Sequence, residues 1–209
     1  MKLLLVGSTG LVGRNVLDLA LADPRIDAVV APVRRPLPER HKLLAPVVDF
    51  ERMPEDALWW HSDAVICTLG TTMRAAGSKE AFHRVDYDYP LTVARLAKRH
   101  GTRTFVLNSA IGASLSSYFF YNRVKGELER DLANIDFQSL TFVRPGLIGG
   151  ERDEVRRGEQ AAFFALRSLE PLLPRRWRIN LADRIAFRMI EAAVESKPGS
   201  HVVTSEELT

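Results

Sequence analysis

A chain of 209 residues, 46% of them hydrophobic, can bury a full core, so we predict a single domain over residues 1–209. The formal net charge of +3 is too balanced to indicate a nucleic-acid surface. The single cysteine, Cys67, excludes an intramolecular disulfide, and no apolar run approaches transmembrane length. We therefore expect a cytoplasmic protein that binds neither nucleic acid nor membrane.

The first predicted element is a buried parallel strand over Lys2–Val6, and a glycine-rich turn follows it at once. The apolar spacing of residues 11–21 predicts a helix after the turn. Glycines at GxxGxxG spacing between a strand and a helix are typical of a dinucleotide-binding loop, in which helix N–H groups face the pyrophosphate. The alternative is a glycine-rich turn without a ligand. The predicted loop residues are Gly7, Ser8, Thr9, Gly10, Leu11, Val12 and Gly13.

The second predicted strand, residues 28–33, ends in Arg34 and Arg35. In folds that prefer NAD, an acidic residue near this point binds the ribose 2′-hydroxyl. Two guanidiniums would instead hold a 2′-phosphate through charge-assisted hydrogen bonds. The sequence therefore favours NADP(H) over NAD(H), with solvated loop arginines as the alternative.

Strands and helices alternate along the rest of the chain, which predicts an α/β fold with a doubly wound parallel sheet and helices on both faces. Ligands in such sheets bind beyond the carboxyl ends of the strands, where Leu69, Gly70, Thr71 and Ser109 would lie. The further predicted strands are 47–50, 63–69, Thr104–Asn108, Ser139–Val143 and 202–204, and the further predicted helices are 89–100, 119–133, 158–169 and 182–194.

Ser109, Tyr121 and Lys125 are the candidate catalytic residues. Tyr121 and Lys125 are one helical turn apart, about 6 Å along the axis, and share a helix face. A nearby ammonium favours the phenolate and moves the pKa of a tyrosine towards the working range, so Tyr121 could exchange a proton with a substrate oxygen. Lys125 could also bond the nicotinamide ribose, and Ser109 could donate to the substrate oxygen. A surface pair and a turn cap are the alternatives.

These segments together resemble the extended or atypical branch of the short-chain dehydrogenase/reductases, most closely the Tat-interacting-protein-type NADPH-binding oxidoreductases. The resemblance implies a Rossmann fold and a Ser109-Tyr121-Lys125 triad. It also implies adenine contacts from Asp49 and Phe50, and a cofactor lining from Leu69 and Gly70. Pro145, Gly146 and Leu147 would meet the nicotinamide end. The stretches that carry the resemblance are 7–13, 47–50, 67–72, 85–89, 121–127 and 144–146.

Two departures from the family pattern bear on function. Leu69-Gly70-Thr71 replaces the Asn-Ala-Gly of better-known members, and Ala110 stands where many relatives have a second serine. Only residues 149–180 remain for a very small C-terminal substrate lobe. The substrate is therefore small, or the pocket is open, or a protein partner completes it.

The function that the sequence predicts is an NADP(H)-dependent oxidoreductase acting on a carbonyl or alcohol, as a monomer or homodimer and without a metal. A non-catalytic NADP(H) sensor is one alternative, and an epimerase or dehydratase on a sugar nucleotide is another. Fold alone does not decide among them.

Overall fold

The sheet brings the ends of its strands to one edge of the molecule. The structure, a computed structural model, describes residues 1–149 and 178–209. In these residues a seven-stranded parallel sheet has the order β3-β2-β1-β4-β5-β6-β9, and β7 pairs separately with β8. The strands are β1 (Lys2–Val6), β2 (Ala28–Val30), β3 (Leu43–Leu44), β4 (Ala64–Cys67), β5 (Thr104–Asn108), β6 (Ser139–Val143), β7 (Ile148–Gly149), β8 (Asn180–Leu181) and β9 (Gly199–Val203).

The helices lie between these strands along the chain. They are α1 (Leu11–Ala22), α2 (Met73–Ala76), α3 (Lys79–His83), α4 (Tyr89–Arg99), α5 (Phe120–Ala133) and α6 (Ala182–Glu195). A π-helical turn over Arg84–Asp88 joins α3 to α4, and 3₁₀ turns cover Leu58–Trp60 and Ser205–Leu208.

Alternation along the central strand divides the core into two layers. Leu3 and Leu5 of β1 pack with α1 and α6 on one face of the sheet. Leu4 and Val6 pack with α4 and α5 on the other face. Successive strand side chains point to opposite faces, so a run of apolar residues is buried on both sides. The predicted doubly wound α/β fold with helices on both faces is confirmed.

The second strand is shorter than the sequence predicted. It ends at Val30, because Pro32 has no N–H to continue the ladder. Pairing resumes only as an isolated bridge between Val33 and Val47, so the predicted strand over 47–50 does not form. The third strand is instead Leu43–Leu44.

The C-terminal elements follow the prediction closely, since α6 covers the helix expected at 182–194 and β9 starts three residues before the expected 202. The predicted helix at 158–169, and most of the predicted lobe at 149–180, lie outside the described residues. Within residues 1–149 and 178–209, none of the helices combines the length and the apolar character that a bilayer crossing requires.

Candidate functional site

The turn after β1 is built around glycines that the backbone geometry demands. Gly7 has a φ of +93°, and a Cβ there would come within 2.7 Å of the Thr68 carbonyl carbon. A Cβ at Gly13 would lie 2.0 Å from the Gly7 carbonyl oxygen, so α1 packs directly on the turn. Gly10 differs, since its Cβ would meet only the Gly7 oxygen among described residues, at 3.4 Å. Gly7 and Gly13 therefore serve the fold, whereas Gly10 faces open space.

The start of α1 has the features of a phosphate site. The first N–H groups of any helix lack an acceptor within the helix, and in α1, which begins after Gly10, no side chain caps them. Ser8 is 2% exposed, and its Oγ has no hydrogen-bond partner in the described structure. A buried hydroxyl without a partner is uncommon in folded proteins. The turn therefore fits an anion that accepts from the helix amides and from Ser8.

A cleft of about 340 Å³ opens over this turn. It lies at the β1–β4 boundary, where the strand order reverses and open α/β sheets bind ligands. No carboxylate occurs among the described residues that line it, and the rings of Phe50 and Tyr89 meet there with centroids 5.9 Å apart. The lining consists of Gly7, Ser8, Thr9, Gly10, Pro32, Val33, Arg34, Phe50, Thr68, Leu69, Gly70, Thr71, Val85 and Tyr89.

Some of the predicted cofactor residues line the cleft, and others do not. Arg34, Phe50, Leu69, Gly70 and Thr71 line it together with the loop residues 7–10. Leu11, Val12 and Gly13 form the first turn of α1 behind the lining, and Arg35 and Asp49 also fall outside it. The Asp49 carboxylate instead accepts from the Glu51 N–H at 2.9 Å. Sequence reasoning missed five lining residues: Pro32, Val33, Thr68, Val85 and Tyr89. Thr68 directly follows β4 and so falls on the predicted edge.

Lys125 lies immediately behind the cleft and pairs with a residue that the sequence analysis did not assign. Its Nζ is 2.9 Å from Asp86 Oδ1, and the two side chains are 3% and 0% exposed. The other oxygen of Asp86 accepts from the Thr71 N–H at 2.8 Å. A Cβ on Gly70 would be 3.8 Å from Lys125 Nζ. The ion pair therefore lies against the backbone that lines the cleft.

Tyr121 is one turn before Lys125 on α5, and its ring packs on Phe82 at a centroid distance of 5.7 Å. The residue is 38% exposed, but partial burial of its phenol raises the pKa of Tyr121. Lys125 opposes this rise and Asp86 adds to it. Burial would lower the pKa of Lys125, but Asp86 and Tyr121 outweigh it and raise that pKa. Without a cofactor, the pKa of Tyr121 is therefore raised, contrary to the sequence expectation.

Ser109 has a different partner from the one expected. It is 3% exposed, and its hydroxyl donates to the Glu129 carboxylate of α5. The same carboxylate accepts from Arg144, with Arg144 Nε 3.0 Å from Glu129 Oε1. The expected donation from Ser109 to a substrate oxygen is at odds with this geometry, because the hydroxyl proton is already used. Glu129 and Arg144 link α5 to the ends of β5 and β6.

The predicted nicotinamide segment is held by its own backbone contacts. The Pro145 carbonyl accepts from the Ile111 N–H at 2.8 Å, and the Gly146 N–H donates to Asn180 Oδ1 at 2.7 Å. The Leu147 side chain is about half exposed. Pro145, Gly146 and Leu147 therefore follow β6 at the predicted edge, but they do not line the cleft described above.

A family comparison places this arrangement among known sequences. The family model described as HIM1 matches residues 60–168, just over half of the chain. The chain belongs to the HIM1 family. The matched region includes Asp86, Ser109, Tyr121 and Lys125, whereas the glycine turn, Arg34 and Phe50 precede it.

Curated relatives of this HIM1-family protein match it over nearly its whole length. "Protein fmp52, mitochondrial" of Emericella nidulans is 32% identical over 98% of this chain and 92% of the relative. "Protein FMP52, mitochondrial" of Meyerozyma guilliermondii is 31% identical over 100% of this chain and 94% of the relative. These names contradict the expected cytoplasmic location. They also leave the Tat-interacting-protein-type subgroup unconfirmed.

Solved structures share the fold of this HIM1-family protein at low identity. MoeE5 in complex with UDP-glucose and NAD has a TM-score of 0.74 and 15% identity, covering 97% of this chain and 75% of that one. A UDP-glucose 4-epimerase of Thermotoga maritima has a TM-score of 0.71 and 13% identity, covering 99% and 77%. The oxidoreductase ylbE of Lactococcus lactis has a TM-score of 0.66 and 18% identity, covering 100% and 94%. The Rossmann-type fold of these proteins is therefore also the fold of this chain.

Proposed function

We propose that this HIM1-family protein is an NADP(H)-dependent oxidoreductase that acts on a carbonyl or alcohol group of a small substrate. One observation carries the proposal. The Lys125 ammonium, one turn from Tyr121, lies directly behind the backbone of Gly70, which lines the cleft over the glycine turn. A proton-transfer pair beside a cofactor cleft is the arrangement that hydride-transferring enzymes require.

The residues of the cleft fit a nicotinamide dinucleotide. The uncapped start of α1 and the Ser8 hydroxyl would hold the pyrophosphate, and the space at Gly10 would admit it. Phe50 and Tyr89 offer an apolar wall for the adenine. When bound, the cofactor would supply or accept a hydride.

Arg34 favours NADP(H) within this proposal. It lines the cleft beyond the end of β2, and no carboxylate in the described lining would repel a 2′-phosphate. Neither Arg34 nor Arg35 forms an ion pair with another residue in the described ranges, so Arg34 can turn towards an anion without breaking one. A guanidinium binds phosphate through charge-assisted hydrogen bonds. Arg34 is therefore the proposed specificity residue.

Tyr121 is the proposed acid or base. The residue is 38% exposed, whereas Lys125, one turn later on the same helix, is buried. The Tyr121 hydroxyl can therefore reach a substrate oxygen, and Lys125 can act on the phenol and on a bound ribose without contacting the substrate.

The test is turnover of a panel of carbonyl compounds followed by NADPH absorbance. Tyr121→Phe should lower the rate about a hundredfold or more, the usual size of a general acid–base contribution, and should leave NADPH affinity unchanged. Tyr118→Phe is the matched control, because Tyr118 is three residues earlier and 92% exposed. A Tyr121→Phe variant with full activity would refute the assignment.

A second function is a non-catalytic NADP(H) sensor, and the position of Ser109 favours it. The Ser109 hydroxyl donates to Glu129, so in this arrangement its proton is not offered to a substrate oxygen. A sensor needs the cleft but not the triad. Tight NADPH binding without turnover of any carbonyl, alcohol or sugar nucleotide would favour the sensor over the enzyme.

A further inference from the structure

Asp86 is a buried member of the site to which the proposed function assigns no role. It lies on the π-helical turn between α3 and α4 and is completely buried. Its two oxygens face different partners, since Oδ1 is 2.9 Å from Lys125 Nζ and Oδ2 accepts from the Thr71 N–H. Burying a carboxylate costs several kcal/mol unless it is paired and hydrogen-bonded. Asp86 therefore joins the catalytic helix to the cofactor cleft.

The Asp86–Lys125 pair lies close to the backbone that lines the cleft. A Cβ on Gly70 would lie 3.4 Å from Asp86 Oδ1 and 3.8 Å from Lys125 Nζ. The pair is thus separated from the cleft by a single backbone segment, and one end of that segment, the Thr71 amide, is fixed by Asp86 itself. A change in the Asp86 side chain would reach both the lysine and the cleft wall.

We propose that Asp86 is a positioning residue that holds Lys125 against the cleft wall and offsets its charge at Tyr121, so that Tyr121 serves as the proton donor for carbonyl reduction. This inference rests on the proposed function. A lone ammonium beside a phenol favours the phenolate, which is a base. A carboxylate paired with the ammonium weakens that effect and favours the protonated phenol, which is an acid.

The proton and electron balance follows from this state. In carbonyl reduction, the carbonyl carbon would accept the hydride that a bound reduced nicotinamide cofactor would supply, and the π electrons of the C=O bond would move to the oxygen. That oxygen takes the proton from Tyr121 Oη, and solvent returns a proton to the phenolate. Alcohol oxidation needs the phenolate at the outset, so it should require a higher pH.

Other ionisable groups on the surrounding elements have partners of their own or are neutral. Burial raises the pKa of the Cys67 thiol of β4 to about 11, so it is uncharged at neutral pH. On α3, His83 lies 3.5 Å from Asp88 and 3.6 Å from Glu127. Lys79 of α3 and Arg123 of α5 lie over the Phe120 ring. Among residues 1–149 and 178–209, Lys125 and Asp86 are the charged groups that shift the pKa of the Tyr121 phenol.

The direct test is a titration of Tyr121 in the protein without cofactor. The protein is labelled with ¹³Cζ-tyrosine, and the spectrum of Tyr121→Phe identifies the resonance. In the unmodified protein, Tyr121 should titrate at higher pH than N-acetyltyrosinamide in the same buffer. In Asp86→Asn it should titrate at lower pH than in the unmodified protein. An unchanged or higher titration in folded Asp86→Asn protein would overturn the proposal.

A double variant avoids an unpaired buried charge. Asp86→Asn combined with Lys125→Met replaces the pair by neutral groups, a change that proteins often tolerate. Tyr121 should titrate at higher pH in this double variant than in Asp86→Asn alone, because the double variant lacks the ammonium that favours the phenolate. Equal titrations, in variants whose circular dichroism shows a native fold, would also overturn the proposal.

Rates against pH separate this inference from the proposed function. Carbonyl reduction should be constant around neutral pH and fall at high pH, and Asp86→Asn should move that fall to lower pH. A Tyr121 titration that does not move contradicts the role of Asp86, whether or not a substrate is turned over. If Asp86→Asn shifts the Tyr121 titration but the unmodified protein reduces no carbonyl, the role of Asp86 stands and the proposed function is refuted. The proposed direction, carbonyl reduction, is then refuted as well.

Discussion

Replacing Arg34 by alanine should remove most of the preference for NADPH over NADH. The two cofactors differ only in the 2′-phosphate, so the ratio of their dissociation constants isolates contacts to that group. Arg34 lines the cleft at the end of β2, and its neighbour Arg35 does not. The structure therefore distinguishes two adjacent arginines that the sequence could not, and the proposed contact with the 2′-phosphate falls to Arg34.

The size of the effect follows from the exposure of Arg34. A hydrogen bond to a charged group is worth about 1.5–3 kcal/mol, and 1.4 kcal/mol is a tenfold change in affinity. Arg34 is exposed, so solvent and salt screen its charge, and the lower end of that range applies. Arg34→Ala should weaken NADPH binding about tenfold, leave NADH binding unchanged, and show its largest effect at low ionic strength.

Isothermal titration calorimetry with each cofactor at two salt concentrations measures these quantities directly. Arg35→Ala is the matched control, because it removes the same charge one residue later and outside the cleft. It should change NADPH affinity by less than Arg34→Ala at either salt concentration. Equal losses in the two variants would show a general charge effect. Equal affinities for NADPH and NADH in the unmodified protein would refute the assignment altogether.

Two further substitutions test the loop and the serine. Gly10→Val should abolish NADPH binding by calorimetry while the melting temperature stays near that of the unmodified protein, because the structure leaves space for a Cβ at Gly10; normal affinity would mean that the loop is only a turn. Ser109→Ala should lower the free energy of unfolding in urea by about 1–3 kcal/mol through loss of the bond to Glu129. A large loss of turnover at unchanged stability would instead indicate that Ser109 donates to the substrate oxygen, as the sequence predicts.

Much of the fold could be predicted because it depends on local pattern. The apolar run of β1, the glycines after it and the helical spacing of α1 each specify local structure, and they agree with one another. The position of Gly10 in the cleft and of Lys125 one turn after Tyr121 follow from spacing alone. These features required no knowledge of which distant residues meet.

The residues that were missed are those whose role depends on distant contacts. Asp86 lies 39 positions before Lys125, and only the packing of the π-helical turn on α5 brings their charges together. In the sequence, Glu129 is not distinguished from the other charged residues of its helix. Only the structure shows that it contacts Ser109 and Arg144. A buried carboxylate on an otherwise polar helix leaves no periodic signal. Spacing therefore predicts candidate groups, but it does not predict their partners.

The two carboxylates that were missed explain how the site is assembled. Glu129 ties α5 to the ends of β5 and β6 through Ser109 and Arg144. Asp86 ties the same helix to the cleft wall through Lys125 and the Thr71 amide. Both contacts act on α5, the helix that carries Tyr121, so the position of the phenol depends on buried charges that do not themselves contact a substrate. If Tyr121 exchanges a proton as proposed, its protonation depends on groups behind the cleft, and substitutions there should change its titration.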